Sequence, residues 1–281
     1  MRYSVSLGAI HQPAEIAELA TLAEDSGWDG IFLEDYIIYQ GQVGTPTFDP
    51  WVTLAAMAVA TTKIRLGTLV TPLPRRRPWK LAAEAITLDH LSNGRLILGV
   101  GAGDVNDPSF GSAGEPTDAR TLAALLDEGI HLLAAFLAGE SVTFAGEHFS
   151  VTDLKLTPAS LQKPRIPIWI GGNWLVPAVR RRAVTWDGTC VYRGTPGGAD
   201  EGPMTPDDVR EICVAVEAKR GSVAGCDICI GGGQRDPDWK KERDHIRAVA
   251  AAGATWWQDW LGPVDLDTMR EAIRRGPIRI D

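Results

Sequence analysis

The stretch "IRLGTLVTPLPRRRPWKLAAEAITLDHLSNGRLILGVGAGD", residues Ile64–Asp104, decides how the chain folds. Its ends, "IRLGTLVTP" and "RLILGVGAG", are apolar runs of strand length. Between them "PWKLAAEAITLDHLSNG" opens on Pro78 and stops at Asn93-Gly94, the punctuation of a helix. Gly99, Gly101 and Gly103 superficially suggest the dinucleotide fingerprint G-x-G-x-x-G. Counted from Gly99, however, the sixth position is Asp104, and no amphipathic helix opens directly after it to receive a pyrophosphate.

The same strand–helix period runs outward in both directions. Upstream, "YSVSLG" alternates apolar and polar, and "PAEIAELATLAEDSG" follows with Ile16, Leu19, Ala20 and Ala23 at helical spacing. "GIFLED" is the next strand and "DPWVTLAAMAVATT" the next helix. Downstream, "IPIWIGG", "GTCVY", "DICIGGG" and "TWWQDW" are strands, with helices near 176–186, 206–220, 237–252 and 267–275. Eight strands, each followed by a helix, predict a closed (β/α)8 TIM barrel rather than an open sheet. One interval is irregular: about sixty residues separate the fourth and fifth barrel strands, too many for a simple connection. That insertion holds a helix, "DARTLAALLDEGIHLLAAFLAG", and a hairpin, "VTFAGEHFSV". A single domain over residues 1–281 is expected.

With 281 residues, 44% of them apolar, the chain can bury a large core. Its net charge of −8 argues against nucleic acid or an anionic membrane as partner. The opening "MRYSVSLGAIHQPAEI" lacks the apolar core of a signal peptide, and no apolar run reads as long enough to span a bilayer, so a soluble, cytoplasmic protein is expected. "CDIC" lacks a second ligand pair for zinc and enters a strand rather than a helix, so buried reduced thiols are expected there.

In such barrels the chemistry gathers at the C-terminal ends of the strands. These ends carry His11; Glu34, Asp35 and Tyr36; Thr68 to Thr71; Ala102, Gly103 and Asp104; Gly171, Gly172 and Asn173; Tyr192 and Arg193; Gly231 to Gln234; and Gln258 to Trp260. Alternation along the fourth barrel strand puts Gly99, Gly101 and Gly103 on one face, which predicts a bare wall. Small residues can merely suit barrel packing, but glycines ending three strands together favour a bound planar cofactor.

Several stretches resemble the luciferase-like monooxygenases, barrel enzymes that use FMN or the deazaflavin F420. They are "GWDGIFLEDY", the Ile64–Asp104 block, the insertion ending "FAGEHFSV", and "PRIPIWIGG" with "RRAVTWDG" behind it. The resemblance implies an acid at Asp35, with Tyr36 where many members carry histidine. It implies a bulged third strand over Thr68, Leu69 and Val70, with a non-proline cis peptide at Leu69–Val70 supporting the ring. Gly101, Ala102 and Gly103 would line the cofactor, Asp104 would stand where deazaflavin members are often acidic, and the backbone of Gly171, Gly172 and Asn173 would hold its phosphate.

Each residue also has a plainer reading. Asp35 could cap the following segment, Asp104 could form an Asx-turn with Asn106, and Arg75 to Arg77 read as a solvated loop within reach of an anionic tail. His11 lies on the functional side, whereas His90 and His148 read as structural. The function implied is an oxidoreductase acting on a small organic substrate. It would use reduced FMN with O2, served by a separate flavin reductase, or exchange hydride with F420. Asp35, Tyr36 and Asp104 would handle protons, with His11 near the substrate. A non-catalytic flavin-binding barrel, or a cofactor-free hydrolase or lyase, is the rival reading, and a homodimer is compatible with the sequence.

Overall fold

The computed structural model describes residues 1–104, 107–194 and 202–280. Eight parallel strands close into a barrel: β1 (Arg2–Gly8), β2 (Gly30–Glu34), β3 (Arg65–Pro72), β4 (Leu96–Gly101), β7 (Ile168–Asn173), β8 (Gly188–Tyr192), β9 (Asp227–Gly233) and β10 (Trp256–Leu261). The hairpin β5 (Ser141–Ala145) and β6 (Ser150–Lys155) stands outside it. Each strand pairs with its neighbour in sequence except across the insertion, where β4 pairs with β7, and β1 closes the ring on β10. The (β/α)8 expectation is met.

The helices are α1 (Pro13–Asp25), α2 (Pro50–Ala60), α3 (Pro78–Leu91), α4 (Pro108–Ser112), α5 (Ala119–Ala138), α6 (Pro177–Ala183), α7 (Pro206–Arg220), α8 (Trp239–Ala252) and α9 (Leu266–Arg274). Proline opens α1, α2, α3, α4, α6 and α7, where its missing N–H costs nothing. The short α4 is an element the sequence pattern did not announce. By length and composition α5 is long and apolar enough to cross a membrane, which corrects the expectation that no such run exists. Its Leu122, Leu126, Ile130, Leu133 and Phe136 are nevertheless buried at helical spacing, as in a core helix. The far end of the insertion is pinned by Asp89 of α3, which accepts from the Leu161 N–H at 2.8 Å and the Gln162 side chain at 2.8 Å.

Outward-facing strand residues such as Val5, Leu7, Ile31, Leu33, Leu98 and Ile170 form the main core beneath the helices. The barrel interior holds a second cluster: Phe32, Ile97, Trp169, Cys229 and Trp256, with Leu69 and Cys190 against it. Trp169 and Trp256 meet edge to face at 5.4 Å between centroids, and Phe32 lies 5.7 Å from Trp169. These rings plug the barrel, so the inward residues one or two pleats further along each strand form the floor of its mouth.

Candidate functional site

The floor is shaped by an irregularity in β3. Thr68 pairs with Leu98, but Thr71 pairs with Val100, so the strand carries one extra residue at Leu69–Val70. The peptide between these two residues is cis, at the bond that the sequence resemblance implied. The hydroxyl of Thr68 donates to the Gly99 carbonyl at 3.1 Å and lies 3.0 Å from the Thr71 hydroxyl, fixing the bulge from behind.

The glycine wall is not bare. A Cβ at Gly171 would sit 2.5 Å from Val70 Cγ1, one at Gly101 would sit 3.0 Å from Val70 Cγ2, and one at Gly99 would strike the Thr68 carbonyl oxygen at 2.2 Å. The glycines therefore make room for the bulge, and Val70 fills the space between β4 and β7. Above it the β4–β7 ladder ends at Val100–Ile170, while β7 stays paired with β8 as far as Asn173–Tyr192. The upper edge of β7 is thus released from β4 at Gly171–Asn173. Gly103, at φ +84°, and Gly172, at φ +144°, occupy backbone regions that suit glycine, packed against Phe110 and Val179 respectively. The Asn173 side chain is spent locally: it donates to the Gly194 carbonyl and accepts from the Leu175 N–H at 3.0 Å. Ala102 is half-buried beside this opening.

Asp35 follows Leu33 onto the outer side of β2 and is 3% exposed. Arg76 Nη2 lies 2.9 Å from its Oδ2, Arg75 Nη2 lies 3.3 Å from its Oδ1, and Thr71 Oγ1 and Trp51 Nε1 complete its surroundings at 2.9 and 3.3 Å. A carboxylate tied to two guanidinium groups, with its back to the barrel interior, is turned away from the mouth. It caps no helix either; Asp49 caps α2. Arg75 and Arg76 are correspondingly ion-paired rather than a fully solvated loop. Arg75 bridges Asp35 to Asp107, at 3.2 Å, while Arg77 alone of the three is exposed. A groove of about 230 Å³ runs beside this loop, with Arg76, Arg77, Thr121 and His148 in its lining.

Glu34, one residue earlier, follows Phe32 onto the inner face. Its Oε2 accepts from the Tyr39 hydroxyl at 2.8 Å, and burial pushes its pKa upward against the opposing pull of that bond. The Tyr39 ring lies where a Gly8 side chain would stand, 2.2 Å from an ideal Cβ there. Tyr36 meets Tyr39 edge to face at 5.4 Å, and its phenol is pushed up to about 12 by burial and by the nearby Glu34 and Asp104 carboxylates. Tyr192, across the mouth on β8, is raised by burial and then by Asp104. Asp104 is exposed, and its carbonyl accepts from the Asp107 N–H at 3.0 Å. Its suggested partner Asn106 lies outside the described residues.

From β10, the Trp260 indole N–H is buried close to both Glu34 and Tyr39, without a well-aligned hydrogen bond to either. Gln258 below it donates to Ser6 at 2.6 Å. His11 Nε2 lies 2.9 Å from the Val264 carbonyl, tying the loop after β1 to the loop after β10. His90 bonds the Ala159 carbonyl at 2.9 Å, a structural role. Sequence reasoning noted Glu34 only as a strand end and passed over Tyr39; the alternation that placed Phe32 inside also places Glu34 there.

A profile of the family described as luciferase-like monooxygenase matches residues 2–218. The chain belongs to that family. Among curated luciferase-like relatives, an F420-dependent glucose-6-phosphate dehydrogenase of Nakamurella multipartita is 36% identical over 175 residues, covering 61% of this chain and 49% of its own. Its counterpart in Microbacterium testaceum is 34% identical over 175 residues, covering 61% and 50%. The chain thus spans about half the length of the curated relatives it matches. Two solved structures share the fold over nearly the whole chain. An F420-dependent secondary alcohol dehydrogenase, in complex with an F420-acetone adduct, has a TM-score of 0.79 at 16% identity and 100% coverage of both chains. The coenzyme F420 dependent tetrahydromethanopterin reductase from Methanopyrus kandleri has a TM-score of 0.75 at 19% identity, with 98% coverage of both.

Proposed function

We propose that this luciferase-like barrel is an F420-dependent oxidoreductase that interconverts a small uncharged alcohol and its carbonyl compound. The observation that carries the reading is the cluster of Glu34, Tyr36, Asp104 and Tyr192 around a mouth floored by the Leu69–Val70 bulge. Similarity to relatives named as F420-dependent supports the choice of deazaflavin over FMN.

A flat ring system suits the residues present. Val70 and Leu69 offer an apolar support, the glycine positions 101 and 171 add no side chain beside it, and the buried Trp260 N–H is a donor awaiting an acceptor. Leu69, Val70, Gly101, Ala102 and Gly171 would hold the ring, with backbone amides of Gly171–Asn173 and the groove beside Arg77 open to its anionic tail. Once bound, F420 supplies hydride exchange at a carbon centre. The chain's own part is to orient the substrate, exclude water and move a proton. Tyr36 stays protonated at neutral pH and serves as a hydrogen-bond donor.

The mouth also bears on substrate charge. Asp104 would repel a phosphorylated sugar, while the arginines nearby are engaged: Arg75 and Arg76 by Asp35, Arg193 by Asp208 at 3.0 Å, and Arg235 by Asp259 at 2.5 Å. A titration with F420 and FMN, read by absorbance and quenching, followed by turnover with neutral secondary alcohols and with sugar phosphates, tests the reading. F420 binding and anaerobic turnover of neutral alcohols are expected. FMN binding with O2-dependent turnover would establish a monooxygenase instead, and binding without turnover across the alcohols would leave a non-catalytic cofactor protein.

A further inference from the structure

We propose that the Glu34 carboxyl group is the proton-exchanging residue of this mouth, positioned by the Tyr39 hydroxyl. The inference rests on the oxidoreductase reading above and assigns its acid–base step to a residue outside the Asp35–Tyr36 pair.

The carboxylates of Glu34, Asp35 and Asp104 follow β2 and β4 near the floor, and their surroundings separate them. Asp35 faces the outer core and is neutralised by Arg75 and Arg76. Asp104 is exposed, and its backbone carbonyl accepts from the Asp107 N–H at the start of α4. Glu34 alone shares the inner face with the aromatic plug, and one of its oxygens is held by Tyr39 at 2.8 Å. The Tyr39 ring is itself clamped: it is fully buried over Gly8, and its backbone N–H donates to Thr47 Oγ1 at 3.1 Å. Such fixation holds Oε2 and leaves Oε1 to meet a bound molecule, the geometry a general acid or base requires.

Among the described residues, the groups that face Glu34 are Tyr39 from the following turn, Tyr36 from the same loop and Trp260 from β10, with Asp104 facing the same phenol from the end of β4. None is a cation. Burial and this company favour the neutral carboxylic acid, and the Tyr39 hydroxyl opposes them by bonding the carboxylate. In the oxidative direction the hydroxyl proton of the alcohol would pass to Glu34 as a C=O bond forms, with bound F420 supplying the hydride acceptor. Reduction returns the Glu34 proton to the carbonyl oxygen as hydride returns to carbon.

Glu34→Gln keeps the size of the side chain and an acceptor for Tyr39 but exchanges no proton. It should bind F420 within about twofold of wild type, lower kcat roughly 10²-fold or more, and remove the corresponding ionisation from the kcat–pH profile. Glu34→Asp should recover part of the loss. Tyr39→Phe should move that ionisation to higher pH, because it deletes a donor to the carboxylate; a purely structural tyrosine would leave it in place. Independently of turnover, the Glu34 side-chain carbon in cofactor-free wild-type protein should titrate above the ordinary glutamate value of about 4.3 by 13C NMR. A Glu34→Gln enzyme with wild-type kcat and pH profile, or titration at the ordinary value, overturns the assignment. Failure of the wild type to bind F420 overturns the functional reading instead, and the NMR titration then decides Glu34's state by itself.

Discussion

One guanidinium nitrogen of Arg76 spans both oxygens of Asp35, 2.9 Å from Oδ2 and 3.0 Å from Oδ1. Arg75 approaches the same carboxylate from the other side, so a side chain only 1% exposed carries the compensation for two cations. The arrangement joins the ends of β2 and β3 below the mouth.

Replacing Asp35 by Asn keeps the shape and leaves both arginines without their counter-charge. Removing one partner of a buried pair typically costs 3–5 kcal/mol; Arg76 is 21% exposed and softens the loss, so about 3 kcal/mol is expected. Urea denaturation of the variant measures it. A change below about 1 kcal/mol would mean that the network contributes little to stability.

Gly171 and Val70 compete for one space. Gly171→Ala places a Cβ 2.5 Å from Val70 Cγ1 and should destabilise the protein by about 1–3 kcal/mol through overpacking, with loss of cofactor affinity. Adding Val70→Ala vacates the space. The double variant should then recover stability, with a coupling of at least about 1 kcal/mol in a double-mutant cycle. Simple additivity would show that the two residues do not press on each other.

Glu242 of α8 titrates away from the mouth. It is 6% exposed, and burial, followed by the neighbouring Asp259 carboxylate, pushes its pKa up to about 7 against the pull of Arg235 and the Asp236 N–H. Because the folded state resists ionisation more than the unfolded chain, its contribution favours folding below the unfolded value and is lost as pH rises from about 4.5 to about 7. Glu242→Gln should therefore stabilise the protein at pH 8 relative to wild type by an amount on the order of 1–3 kcal/mol, and by less at pH 5. Chemical denaturation at the two pH values checks the sign; an equal effect at both would remove the titration from the account.

The barrel was legible because its evidence is local. Alternation in "YSVSLG", proline and glycine punctuation, and the strand–helix period each act within about fifteen residues. The reasons behind the site residues were not local. Gly101 and Gly171 are small because Val70 of a third strand stands between them, a meeting that no single strand pattern contains. The arginine run read as solvated because its acids are far along the chain: Asp35 is 40 positions from Arg75, and Asp107 is 32. Glu34 and Asp35 are neighbours on opposite faces, so a one-residue register separates a carboxylate in the mouth from one locked behind it. Alternation from Phe32 was sufficient to choose between them.

Arg75 touches Asp35 after β2 and Asp107 at the start of α4, and Asp107 also caps that helix by accepting the Ser109 N–H at 2.8 Å. Three loops, after β2, β3 and β4, are therefore fastened by one planar cation. For anyone grafting this mouth onto another barrel, they form a single transplantable unit. Exchanging the loop after β4 alone would strip Asp107 from Arg75 and uncap α4, while carrying all three preserves every charge they share. New substrate preferences are best sought at positions that this fastening omits, the ends of β8 and β10, where Tyr192 and Trp260 stand on the far wall.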